Sequence, residues 1–63
     1  MSEPYSATTK LAAVERELKY RKHVYPRQIE AGKMTDGFAA AQIAVFEAIA
    51  ADYRALAEKE RLI

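Results

Sequence analysis

One stretch of the chain carries side chains of the kinds that bind ligands or move protons: Lys19-Tyr20-Arg21-Lys22-His23-Val24-Tyr25-Pro26-Arg27. Four of these nine residues are Lys or Arg and two are Tyr. Basic side chains neutralise phosphates and tyrosine rings stack on exposed bases, so Lys19, Tyr20, Arg21, Lys22 and Arg27 form a candidate nucleic-acid-binding set. The same residues also suit a plain helix end, where Lys and Arg complement the negative pole of the helix dipole and Tyr25 continues an apolar stripe. The charge excess is local, because the whole chain carries a net charge of only +1.

Other chemistry finds little material. His23 is the only histidine, and neither a nucleophile nor a carboxylate is spaced to work with it as a general base. Cysteine is absent, so the usual tetrahedral zinc set is not expected, nor are disulfides. Glu15 and Glu17 point to different faces of a helix, and Glu47, Asp52, Glu58 and Glu60 follow no metal-binding repeat. Gly32 and Gly37 read as a helix cap and a helix start rather than as a phosphate loop. The expectation is a protein that is not an enzyme, with no cofactor, no metal and no small-molecule substrate.

The elements that would position the basic stretch follow from apolar spacing. Thr8 or Thr9 is a candidate N-cap, since a hydroxyl oxygen there accepts a free backbone N–H of the first turn. The first helix is then expected over about 9–24, with a stripe of Leu11, Val14, Leu18 and Tyr25. Glu15 with Lys19, and Glu17 with Arg21, have the favourable i,i+4 order. Pro26 is expected to end or sharply bend this helix, because it lacks an N–H and disfavours helical geometry at Tyr25. Residues 26–31 can form a short turn of their own, with Ile29 pointing inward, and Gly32 fits the left-handed position after it. Residues 1–7 are read as a flexible tail, leaving 8–63 as a single helical-hairpin domain.

Thr35 is a second N-cap, and Asp36 lies in the first turn where its charge meets the positive end of the dipole. From there one long helix is expected over about 36–62. At 100° per residue, Phe38, Val45, Ile49, Leu56 and Ile63 fall on one line with Phe46 and Tyr53 beside it, and Ile43, Ala50 and Ala57 lie further round. The apolar arc is about 160° wide, broader than the seam of a two-stranded coiled coil. Ala40, Ala44, Ala48, Ala51 and Ala55 fill the flanks.

The run Val14-Glu15-Arg16-Glu17-Leu18, then Arg21, Val24-Tyr25-Pro26, Gly32-Lys33-Met34, Ile43-Ala44 and Glu47-Ala48-Ile49 resembles small uncharacterised proteins encoded in bacteriophage and prophage regions. The resemblance covers roughly residues 10–56, and Val-Tyr-Pro followed by Gly-Lys-Met is its most specific piece. It implies a phage-related accessory protein and carries over no activity, cofactor or site residue.

Chains this short bury only about 60% of their unfolded surface and usually need a further source of stability. With disulfides and zinc set aside, self-association is the expected source. Residues 1–35 carry seven Lys/Arg against four acids, and residues 36–63 carry three against five, so two copies could also pair basic half with acidic half. The expected fold is all-α: a helical hairpin that forms a homodimeric bundle, either by pairing closed hairpins or by domain swapping. Its expected core is Leu11, Val14, Leu18, Ile29, Phe38, Val45, Phe46, Ile49, Tyr53 and Leu56. The expected function is a protein-interaction or structural module with an unidentified protein partner; the alternative is a nucleic-acid-binding dimer using residues 19–27. No apolar run matches a signal peptide or a membrane span, so a cytoplasmic location is expected. Helix 2 carries a mixed-sign polar face, which disfavours anionic lipid.

Overall fold

The computed structural model describes residues 4–62, and they form an all-α hairpin of two packed helices, α1 (Ala7–Glu30) and α2 (Asp36–Arg61). The expected tail lies partly outside the described residues; Ala7 is already helical, and Ser6 is the N-cap, its hydroxyl accepting from the Thr9 N–H at 3.1 Å. The cap is therefore Ser6 rather than Thr8 or Thr9. The earlier start brings the Ala7 N–H within 3.0 Å of a Glu60 carboxylate oxygen, so the end of α2 places a negative charge on the positive end of α1.

At its other end α1 also runs further than expected, straight through Pro26 to Glu30. Proline removes the hydrogen bond that would have reached Lys22 four residues back, and its ring crowds the same carbonyl. Lys22 and Pro26 are both exposed, so the carbonyl left without its donor is on the water side, while Val24, Tyr25, Gln28 and Ile29 are half-buried. Packing on both sides of the proline holds the last turn in the helix.

The reversal is made by Gly32, whose φ of +74° is the left-handed value expected for a residue just past a helix. Its N–H donates to the Ile29 carbonyl at 3.0 Å, and the Lys33 N–H donates to the Gln28 carbonyl at 2.9 Å. These two bonds are the paired closures of a Schellman motif. Thr35 then caps α2, its side chain accepting from the Phe38 N–H at 3.1 Å.

The two helices run antiparallel, and the contact seam has a heptad rhythm. On α2 it is Ala39, Ile43, Phe46, Ala50, Tyr53 and Ala57; on α1 it is Ala7, Leu11, Val14, Leu18, Arg21, Tyr25 and Gln28. Among the described residues the buried ones are four alanines, Ala7, Ala39, Ala50 and Ala57, with Ala50 the most enclosed at 2% exposed. In a chain of two helices each of these must be covered by the opposite helix. The helices thus approach along a line of small side chains, with Phe46 and Tyr53 filling the spaces between. Two exposed ion pairs favour this register: Arg54 to Glu15 and Lys22 to Glu47, both at 3.1 Å. A slip of one heptad in either direction would set two like charges against each other, Glu15 against Glu47 or Lys22 against Arg54.

Candidate functional site

The structure divides the basic stretch around α1. Lys19 and Lys22, about 60° apart on the helix, share one side with Glu15, Leu18 and Arg54, and together these five line an open hollow. Tyr20 and Arg27 lie about 20° apart on a different side, both exposed, with Tyr20 at 61%. Arg21 points at α2 between these two groups. His23 is exposed. The sequence set Lys19, Tyr20, Arg21, Lys22 and Arg27 is therefore not gathered on one surface; only Lys19 and Lys22 share a local site, joined there by Arg54, which periodicity within α1 does not reveal.

Two members of the set are also engaged within the chain. Lys22 is the partner of Glu47, and Arg21 donates from Nε to Glu17 at 2.9 Å and from Nη1 to the Tyr25 hydroxyl at 2.6 Å. The Arg21 guanidinium lies 4.1 Å from the centroid of Phe46, over the ring, and 5.9 Å from that of Tyr25. Burial acts to lower its pKa, but the bonds to Glu17 and Tyr25 and the nearby charge act more strongly, and the group sits above its ordinary value. It is a fixed cation in the hairpin seam. The Glu17–Arg21 pair matches the i,i+4 expectation, whereas Glu15 turns to Arg54 across the hairpin. Tyr25, four residues on, lies where helix spacing places it, whereas Phe46 comes from α2 and is the part of the Arg21 setting that spacing within α1 does not give.

A different surface is more continuous. On α2, beside the seam and away from the Glu15–Arg54 and Lys22–Glu47 pairs, Phe38, Val45 and Leu56 are 54%, 53% and 47% exposed. Ile49 is half-buried between them, and Ala41, Ala48 and Ala55 are exposed along the neighbouring row. These are three of the side chains expected in the core of an assembly, and α1 does not cover them. Of the others, Leu11, Val14, Leu18, Ile29, Phe46 and Tyr53 are half-buried, in or beside the seam of the single hairpin. At the open end of the hairpin, Tyr5, Lys10, Tyr53, Leu56 and Glu60 surround a second hollow, with the Lys10 ammonium 5.7 Å from the Tyr53 ring centroid.

Among the described residues there is no group of three or more His, Cys, Asp or Glu side chains arranged to hold a metal ion. Nor is any described helix long and apolar enough to cross a membrane. Compared with protein-family models, curated proteins and solved structures, the chain matches none.

Proposed function

We propose that this hairpin is a non-enzymatic interaction module that works as a homodimer, in a phage-related accessory role with a further protein partner. The observation that carries this reading is the imbalance of burial. No large side chain among the described residues is fully buried, while Phe38, Val45 and Leu56 stand about half exposed on one side of α2. The chain has a radius of gyration of 14.5 Å and dimensions of 47 × 19 × 16 Å, whereas a compact domain of this length has a radius near 10.6 Å. Those are the proportions of half a four-helix bundle. Light scattering at tens of micromolar tests it: twice the 7.1 kDa chain mass is expected, and a monomer refutes the dimer.

The second reading, nucleic-acid binding through residues 19–27, is supported by the exposure of Lys19, Tyr20 and Arg27. Titration with single- and double-stranded DNA and RNA at low salt tests it. Binding that weakens steeply with salt, and again with Lys19→Ala and Arg27→Ala, supports it; no binding at low salt removes it.

A further inference from the structure

We infer that the exposed strip of α2 is a two-fold interface with a second copy of the chain, in which the two α2 helices lie antiparallel with the axis near residue 47. This rests on the dimer reading above and adds the face, the direction and the register. The strip is Phe38, Gln42, Val45, Ile49, Asp52 and Leu56, spaced four, three, four, three and four, which is a second heptad seam on α2 beside the one that α1 occupies.

The order of residues along this strip points to the occupant. A two-fold interface must be self-complementary: the patch that meets its own copy has to carry matching groups at equal distances either side of the axis. Here Phe38 and Leu56 are equidistant from residue 47, as are Gln42 and Asp52, and Val45 and Ile49. An antiparallel pair in this register sets large apolar side chains against large apolar side chains. It also sets the one charge in the strip, Asp52, against an amide that can donate to it. A parallel pair would place Asp52 directly against Asp52, two like charges in an apolar seam.

The flanks agree. The row on the open side of the strip is Ala41, Ala48 and Ala55, symmetric about Ala48, so nothing bulky or charged holds the helices apart there. The other side is filled by Ala39, Phe46 and Tyr53, already packed on α1. Antiparallel helices also place the positive end of each α2 beside the negative end of its mate.

The area is of the right size. The chain exposes 5008 Å², whereas a compact monomer of 7.1 kDa exposes about 4,100 Å². The excess of about 900 Å² per chain is surface that the single hairpin leaves uncovered, comparable to the roughly 800 Å² per partner of a standard specific interface.

Because the chain has no cysteine, disulfide trapping is clean. Val45→Cys protein is mixed with Ile49→Cys protein and oxidised, and each is also oxidised alone. The mixture is expected to give the mixed disulfide about tenfold or more over either homodisulfide, since only in the mixed dimer are the two thiols set directly opposite each other within reach of a disulfide. Ala48→Cys, a milder change at an exposed position, is expected to crosslink to itself. Homodisulfides of the Val45→Cys chain, or a mixture that gives no excess of the mixed species, overturn the antiparallel register while leaving the dimer intact. A monomeric wild-type chain in light scattering overturns the dimer itself, and the inference with it.

Discussion

Ala50 and Ala51 are neighbours in sequence with opposite surroundings, and the same substitution at the two positions tests the helix seam. Ala50 is 2% exposed and meets α1, whereas Ala51 is exposed. Leucine and alanine have nearly equal helix propensity, so Ala51→Leu should change stability by less than about 0.5 kcal/mol. Ala50→Leu adds three carbon atoms between two helices held together across alanine contacts, and such overpacking costs about 1–3 kcal/mol. In a domain of this size each kcal/mol moves Tm by roughly 4–8 °C, so Ala50→Leu should melt about 5–20 °C below wild type. The total stability of a 63-residue chain is only about 3–9 kcal/mol, so the loss is a large share of it. Far-UV circular dichroism melts at one fixed protein concentration measure this, the concentration being held because association alters apparent stability. Equal Tm values for the two variants, or a larger fall for Ala51→Leu, would show that the seam does not run through Ala50.

Two further outcomes follow from the connector and the register. Gly32→Ala meets no neighbouring atom but forces a side chain onto a φ of +74°, so it should cost about 1–2 kcal/mol through backbone strain alone, measured by urea denaturation. In a double-mutant cycle, Glu15→Arg and Arg54→Glu should each destabilise the hairpin slightly and together restore it, with a coupling no larger than about 1 kcal/mol because both side chains are half exposed; a coupling near zero would remove the pair from the account of register.

Much of the fold was legible in local signals. Thr35 followed by Asp36 marks a helix start through hydrogen-bonding and charge, and Gly32 marks a stop because it alone enters the left-handed region without strain. Both signals act within one or two turns, so neighbouring sequence suffices to read them. Pro26 misled for the converse reason: its local cost, a lost hydrogen bond and a steric clash with the preceding turn, is outweighed because the turns on either side of it are held by contacts with α2 that sequence spacing within α1 does not contain.

What the sequence by itself determined is that two amphipathic helices form, that Gly32 takes a left-handed position in the segment joining them, and that α2 has more apolar surface than one neighbour covers. Only the tertiary structure decided how that surface is shared. An apolar arc about 160° wide has room for two contacts, and periodicity ranks its positions by direction without saying which direction the first partner takes. The first partner, α1, takes the side where Ala39, Ala50 and Ala57 allow close approach and where Glu15, Lys22, Glu47 and Arg54 pair across the seam. Phe38, Val45 and Leu56 are left outside as a consequence, and Arg21 is drawn out of the basic stretch to lie over Phe46. Those outcomes depend on interhelical distance and cross-helix charge, quantities that exist only once the two helices meet.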